Sequence, residues 1–190
     1  MNSAQKHIDC TNDNLMWRKL KAGDEHALAA LFRQFYGAMF DYGIKLTQRE
    51  ELVKDAIQEV FAYIWQNRKS LSQANSVIAY LLVSLRRNLL TTLEKQKRMD
   101  KASKEMHQEY PNTAFPIEDL MIMNEENAAK KEKLKTALPQ IPARLYEALY
   151  LKTYSGLSYN EIAEVMKITP GVARNYISEA FQRLRQIVDV

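Results

Sequence analysis

Five polar side chains near the end of the chain have the types and spacing needed to read duplex DNA. Arg174, Asn175, Tyr176, Ser178 and Arg183 fall within one stretch of helical periodicity. Arginine pairs in a bidentate manner with guanine and asparagine with adenine, while hydroxyl and guanidinium groups also bind backbone phosphates. These residues therefore indicate DNA recognition, with Tyr176 and Arg183 expected to position the DNA backbone.

Two short helices across a tight turn would position those side chains. Helical apolar patterns cover residues 158–166 and 171–187, and Thr169 and Pro170 between them suit the cap and the first position of a helix. The pattern predicts a helix-turn-helix whose second helix places its N-terminal half, from Thr169 and Gly171 onward, in the major groove. Its predicted apolar stripe consists of Val172, Ile177, Ala180, Phe181 and Leu184. From these residues alone, an ordinary helical hairpin is the alternative.

The composition favours an all-α protein without a recognisable catalytic or metal-binding constellation. Only 5 Gly and 5 Pro interrupt long patterns of helical period, which leaves little room for strands. The net charge of +4 permits nucleic-acid binding without requiring it. Cys10 is the only cysteine and the histidines are scattered, so we expect no disulfide, metal or cofactor. No apolar run reaches the roughly 18 residues of a membrane span, and no signal segment is visible, so we expect a cytoplasmic protein without membrane insertion.

The pattern divides the chain into two small helical domains joined by a flexible linker. Residues 1–13 are polar and predict a loose tail, and residues 14–97 hold the helical patterns of an N-terminal domain, with Asp24 suited to cap one of them. Residues 98–126 lack a sustained apolar stripe and contain two of the prolines, which indicates a linker. Helical periodicity returns in residues 127–190, the predicted C-terminal domain with the helix-turn-helix.

The helix predicted around residues 55–65 is apolar on more than one side. Phe61 and Trp65 form a second aromatic ridge beside a narrow polar strip that contains Asp55, Gln58 and Glu59. A helix of this kind is either deeply buried or docks on a partner, and physical reasoning alone favours burial. The residues expected to face the core are Ala56, Val60, Tyr63 and Ile64.

The next helix combines an aromatic ring, an amide and many cations beside its leucine-rich core stripe. Between Ser84 and Lys104 there are seven basic and two acidic residues, so the net positive charge of this short stretch exceeds the +4 of the whole chain. Aromatic and basic groups on one strip are typical of a groove for single-stranded nucleic acid, although an ordinary solvated face fits equally well. The candidate residues are Tyr80, Arg86, Arg87, Asn88, Lys95, Lys97 and Arg98.

Taken together, these motifs resemble those of the extracytoplasmic-function group of bacterial sigma factors, within the sigma-70 superfamily. The run DAIQEVF at residues 55–61, followed by Trp65, is similar to the family's polymerase clamp-binding helix. The run YLLVSLRRN at residues 80–88 resembles the segment that recognises and melts the promoter minus-ten element. Residues 138–185, with GLSYNEIAE at 156–164, resemble the minus-thirty-five domain.

Three positions depart from the family pattern. Tyr80-Leu81 stands where the family usually has Trp-Leu, and Lys167 replaces the glycine of the helix-turn-helix turn. The common Gly-Thr-Val-Lys entry to the recognition helix reads Gly171-Val-Ala-Arg174 here. A non-glycine residue in the turn is expected to adopt the left-handed conformation at a cost of about 1 kcal/mol.

The resemblance implies a transcription initiation subunit that is not an enzyme and acts as a monomer within the polymerase holoenzyme. Its implied partners are core RNA polymerase, promoter DNA and an anti-sigma factor. It implies polymerase binding by Asp55, Gln58, Glu59, Phe61 and Trp65. It implies minus-ten recognition by Tyr80, Arg86, Arg87, Asn88, Lys95, Lys97 and Arg98. It implies minus-thirty-five recognition by Thr169, Gly171, Arg174, Asn175, Tyr176, Ser178 and Arg183.

The main alternative is a conventional dimeric helix-turn-helix regulator whose N-terminal bundle is a sensor or dimerisation module. Such a regulator would bind duplex DNA by itself, at a palindromic site. A sigma factor would bind little duplex DNA until polymerase is present. A DNA-processing enzyme is a third, weaker alternative, because no metal-binding cluster of carboxylates or histidines is visible in the sequence.

Overall fold

The computed structural model describes residues 10–103 and 141–188, and within these ranges every regular element is an α-helix. In chain order the helices are α1 (Cys10–Lys21), α2 (Glu25–Thr47), α3 (Glu50–Asn67), α4 (Val77–Ser103), α5 (Ala143–Thr153), α6 (Tyr159–Met166) and α7 (Pro170–Val188). They pack as two compact units, an N-terminal unit of α1–α4 and a C-terminal unit of α5–α7. The predicted all-α fold with two helical domains is confirmed.

Two predicted domain boundaries fall inside helices. α1 begins at Cys10, so residues 10–13 of the predicted loose tail are helical, and α4 continues past the predicted domain end at residue 97 to Ser103. The end of α4 has no apolar stripe, but Lys, Arg, Gln and Met are strong helix formers and can sustain a helix without one. The rest of the predicted linker and residues 127–140 lie outside the described residues.

The N-terminal unit is built around α2, which packs against α1, α3 and α4. The side chain of Asp24 caps α2, as predicted, by accepting hydrogen bonds from the backbone N–H groups of His26 and Ala27 at 2.8 and 3.2 Å. Leucines of α4 complete the core. The predicted α4 stripe is buried at Ile78, Leu81, Leu82, Leu85 and Leu89 and half-buried at Leu93.

Gly43 allows α2 and α3 to approach closely. A Cβ atom at this position would lie 2.6 Å from Cγ1 of Val53 on α3, well inside van der Waals contact. Any larger residue would therefore push the two helices apart, and this separation would displace the side chains that α3 presents on its other faces.

The buried face of α3 is rotated by about one position relative to the prediction. Ala56, Val60 and Ile64 are buried as expected, but Tyr63 is 59% exposed and Phe61 is 6% exposed. Phe32 of α2 causes this difference, because its ring packs edge-on against Phe61 at 5.0 Å between centroids. The placement of Tyr63 in the core was wrong.

The C-terminal unit contains the predicted helix-turn-helix in α6 and α7. Ser158 caps α6 in a reciprocal capping box with Glu161, and Lys167 ends α6 in the left-handed conformation at φ 54° and ψ 53°. Thr169 then caps α7 as predicted, since its Oγ1 accepts a hydrogen bond from the backbone N–H of Val172 at 3.3 Å.

The apolar stripe of α7 differs from the prediction at two positions. Ile177 and Ala180 are buried as expected, but Ala173 is fully buried as well and Phe181 is 43% exposed. α7 packs against both α5 and α6. Ala173, and not Phe181, therefore lies on the side of α7 that is buried within this unit.

Candidate nucleic-acid and polymerase interfaces

The outer side of α7 presents polar groups that can read DNA. Gly171, Arg174, Asn175 and Ser178 are exposed at helical spacing, opposite the buried core positions of the same helix. A Cβ at Gly171 would meet only the Thr169 Oγ1 atom, at 4.0 Å, so the backbone is open to a close approach there. Four of the predicted minus-thirty-five residues are thus brought together on one surface.

The other three predicted residues of this set have different surroundings. The Thr169 hydroxyl is engaged in capping α7, and Tyr176 is half-buried. Arg183 donates from Nε and Nη2 to one oxygen of Glu179, at 3.0 and 2.7 Å. A phosphate contact by Arg183 would have to replace this exposed intrahelical ion pair, which contributes only about 0.3–0.5 kcal/mol.

Arg174 lies beside the aromatic ring of Tyr159, a residue that the sequence analysis had not included among the candidate site residues. Its Cζ lies 5.3 Å from the ring centroid of Tyr159, the first residue of α6, and Lys152 Nζ of α5 lies 4.9 Å from the same centroid. Both distances are in the range of cation–π interactions. Tyr159 lies within the GLSYNEIAE run, but its contact with a residue fifteen positions later depends on how α6 and α7 cross.

An exposed basic strip runs along α4. Arg87, Thr91, Lys95 and Arg98 are exposed at positions that share one side of the helix, and Lys97 is exposed beside them. The guanidinium-bearing Arg86 is half-buried. The strip places most of the predicted phosphate-binding cations on a single continuous surface.

Tyr80 is less available than the sequence suggested. Its ring packs edge-on against Trp17 at 5.0 Å between centroids. Burial raises the pKa of Tyr80, the nearby Tyr63 raises it further, and a hydrogen bond with Ser84 partly offsets this rise. Tyr80 therefore helps to hold α1 against α4. Tyr63 is the more exposed aromatic ring beside it, and sequence reasoning missed it because its periodicity matched the core.

The predicted polymerase face and the predicted minus-ten face meet at one hydrogen bond. Asn88 of α4 donates through Nδ2 to Glu59 Oε2 of α3, at 2.7 Å. Glu59 is exposed and Asn88 is half-buried. A rearrangement of Glu59 would therefore release the amide of Asn88, and a rearrangement of Asn88 would release the carboxylate.

The polar strip of α3 is exposed, but the adjoining aromatic ridge is not a free surface. Asp55, Gln58 and Glu59 are exposed, whereas Phe61 is buried against α2. Trp65 is half-buried, and the Arg68 guanidinium carbon lies 4.3 Å from its ring centroid while Nη1 donates to the Trp65 carbonyl at 2.7 Å. Phe61 is thus covered by α2, in agreement with the burial that physical reasoning favoured, and Arg68 directly after α3 covers part of Trp65.

Within residues 10–103 and 141–188, no group of three or more His, Cys, Asp or Glu side chains could hold a metal ion. None of the described helices has the length and apolar character required to span a bilayer.

Two family models match this chain. The model described as Sigma-70 region 2 matches residues 31–99, and the model described as Sigma-70, region 4 matches residues 131–184. Together they span about two thirds of the sequence and coincide with the two units that carry the exposed polar surfaces. The chain belongs to the sigma-70 family of transcription initiation factors, and its predicted place in the extracytoplasmic-function group is confirmed.

Similarity to individual proteins extends over nearly the whole chain. The RNA polymerase sigma factor CarQ of Myxococcus xanthus is 21% identical over 170 residues, which cover 90% of this chain and 94% of that protein. The fold is similar to that of sigma factor RpoE from Bartonella quintana, solved with the anti-sigma factor NepR (TM-score 0.58, 20% identity, covering 85% and 96% of the two chains). It is also similar to CnrH, solved with the cytosolic domain of CnrY (TM-score 0.62, 15% identity, 93% and 97%).

Family membership distinguishes between the functions that the sequence left open. Sigma-70 proteins are initiation factors and not an enzyme class, so the sigma factor role is favoured over a dimeric regulator and over a DNA-processing enzyme.

Proposed function

We propose that this sigma factor binds core RNA polymerase through α3, recognises and melts the minus-ten element through α4, and reads the minus-thirty-five element through α7. The observation that carries the proposal is the outer side of α7. There Arg174, Asn175 and Ser178 are exposed around a backbone that is open at Gly171. Arg and Asn can each make a bidentate contact to a base, worth about 1–3 kcal/mol of discrimination.

The minus-ten function is assigned to the basic strip of α4 and the aromatic rings beside it. Arg87, Lys95 and Arg98 are exposed cations that fit the phosphates of an unpaired strand. Base stacking is worth roughly 1–3 kcal/mol per base, and Tyr63 adds an exposed ring to the partly covered Tyr80. The remaining members of this proposed surface are Arg86, Asn88 and Lys97.

The polymerase-binding function is assigned to the polar strip of α3. Asp55, Gln58 and Glu59 would make the direct contacts, since all three are exposed. Phe61 and Trp65, which the resemblance placed on this face, would act by holding the strip in position, because the chain itself buries Phe61 and partly covers Trp65. An acidic and amide-bearing strip fits a basic partner surface.

We also propose an anti-sigma factor as a regulatory partner, supported by the similarity of this fold to RpoE, which was solved with the anti-sigma factor NepR. The proposed working state is a cytoplasmic holoenzyme with one copy of this chain, without a cofactor or catalytic activity of its own.

Run-off transcription with purified core polymerase tests the proposal. We expect promoter-dependent transcripts only when this chain is added. Gln58→Ala and Glu59→Lys should each weaken binding to core polymerase by about tenfold, since a central contact typically contributes 1–2 kcal/mol or more. Gln73→Ala is the matched control, because Gln73 is exposed in the same unit but lies in the loop after α3. Specific duplex binding by the free chain, with no transcript from core polymerase, would contradict the proposal.

A further inference from the structure

The start of α6 is capped directly before Tyr159, whose ring lies near Arg174 of the recognition helix. Glu161 Oε2 accepts a hydrogen bond from the backbone N–H of Ser158 at 2.7 Å, and Ser158 Oγ accepts one from the backbone N–H of Glu161 at 3.3 Å. This reciprocal capping satisfies N–H groups that a helix start otherwise leaves open. Tyr159 directly follows the cap, and its ring is half-buried.

Two cations from neighbouring helices lie close to this ring. Lys152 Nζ, from α5, is anchored by donating a hydrogen bond to the Leu157 carbonyl at 3.1 Å and lies 4.9 Å from the ring centroid. Arg174 Cζ, from α7, lies 5.3 Å from the same centroid, although the Arg174 side chain is exposed. A guanidinium within about 6 Å of an aromatic ring is attracted by the ring's quadrupole.

The geometry points to Tyr159 as a positioning residue that orders the Arg174 guanidinium before DNA arrives. Arginine has many rotamers, so immobilising its side chain on binding loses conformational entropy and weakens affinity. A side chain that is already ordered before binding loses less entropy and binds more tightly. The base preference of Arg174 would then depend on a residue outside the recognition helix. The inference rests on the proposed minus-thirty-five function and deepens it by naming the residue that positions the Arg174 guanidinium.

A promoter library randomised at the minus-thirty-five element tests the inference in the reconstituted holoenzyme. Tyr159→Leu keeps an apolar side chain but removes the ring, and Tyr159→Phe keeps the ring. We expect Tyr159→Leu to reduce discrimination at the base read by Arg174 by about two- to tenfold, the range that corresponds to ordering one long side chain. We expect Tyr159→Phe to restore it. Selection at the base read by Asn175 is the internal control, because a general loss of folding would reduce both.

A double-mutant cycle separates positioning from a general packing role. In the Arg174→Ala background, Tyr159→Leu should have no further effect on base discrimination, since no guanidinium is left to order. If Arg174→Ala relaxes selection but Tyr159→Leu leaves the base profile unchanged, or lowers selection at the Asn175 base equally, the inference on Tyr159 is overturned and the proposed function stands. If Arg174→Ala itself leaves the profile unchanged, both the reading role of Arg174 and its positioning are overturned.

Discussion

Lys167 adopts a backbone conformation that favours glycine. Its φ of 54° is left-handed, and its backbone N–H donates to the carbonyls of Ala163 and Glu164 to end α6, while the N–H of Ile168 donates to Ala163 at 3.0 Å. The conformation at Lys167 was predicted from the sequence and is confirmed. The turn therefore retains its shape although a lysine occupies it.

Lys167→Gly is expected to stabilise the C-terminal unit by about 1 kcal/mol, because glycine adopts this conformation without the steric cost of a Cβ. The change should slow hydrogen exchange of the α6 amides in the full chain by about fivefold. Lys167→Ala is the matched control, since it removes the charge but keeps the Cβ. Equal protection of the α6 amides from hydrogen exchange in the two variants would mean that the loss of charge, not the backbone conformation, causes the effect. Promoter preference should not change in either variant.

Local signals at the residue scale were predictable, whereas contacts between distant residues were not. Asp24 and Thr169 were identified as caps, because a cap depends on backbone groups two or three residues away. The pairing of Glu59 with Asn88 joins residues 29 positions apart, so it depends on how α3 and α4 cross. No pattern within one helix carries that information.

The same limit applies to whole helices. The periodicity of α3 identified a helix with a buried face, but that face includes Phe61 and excludes Tyr63. Both residues lie at the edges of the apolar surface of α3, and this surface is too wide to be covered by a single neighbouring helix. The neighbouring helix α2 decides between them, because Phe32 covers the side that carries Phe61. Amphipathicity thus predicted the element, and tertiary packing determined its rotation.

The contact between α2 and α3 yields a stability prediction at the element scale. Gly43→Ala should lower the free energy of unfolding by about 1 kcal/mol, because the overpacking at Val53 outweighs the better helix propensity of alanine. Gly37→Ala is the matched control, since a Cβ there would have nothing within 4 Å, and it should raise stability by about 0.5–1 kcal/mol. Both tryptophans, Trp17 and Trp65, lie in the N-terminal unit, so their fluorescence during urea unfolding reports on this unit.

Adding Val53→Ala to Gly43→Ala should cost less than the sum of the two single changes, because the smaller side chain makes room for the new Cβ. A Gly43→Ala protein as stable as Gly37→Ala would show that the two helices do not constrain each other at this position.

At the scale of the whole molecule, the division into two helical units was the most accessible feature of the sequence. It follows from the loss of apolar periodicity after α4 and from the proline-bearing segment, both of which are visible in the sequence itself. The ends of the helices were less accessible, since α1 and α4 extend past their apolar stripes. Hydrophobic patterns mark where a helix is packed, not where it ends.

Because the chain divides into two compact units, changes on their proposed DNA-binding surfaces should act independently. Replacing Lys95 and Arg98 by alanine should weaken open-complex formation at every promoter and lower the salt slope by about 1.4, which corresponds to two phosphate contacts on a single strand. Asn175→Ala should instead change the preferred minus-thirty-five base. The triple variant should show the sum of both free-energy effects within about 0.5 kcal/mol.

The control for this last experiment is Arg18→Ala with Lys19→Ala, two exposed cations on α1 that change the net charge equally. If this control lowers the salt slope as much as the α4 pair does, the effect reflects overall charge and α4 is not the phosphate-binding surface. A coupling free energy above about 1 kcal/mol between the α4 and α7 changes would contradict independent action. Such a coupling would mean that DNA binding by one unit alters DNA recognition by the other. If the free-energy effect of the triple variant equals the sum of the separate effects, this result would support separate roles for the two helices. In these roles α4 binds the melted strand and α7 determines which promoters are selected.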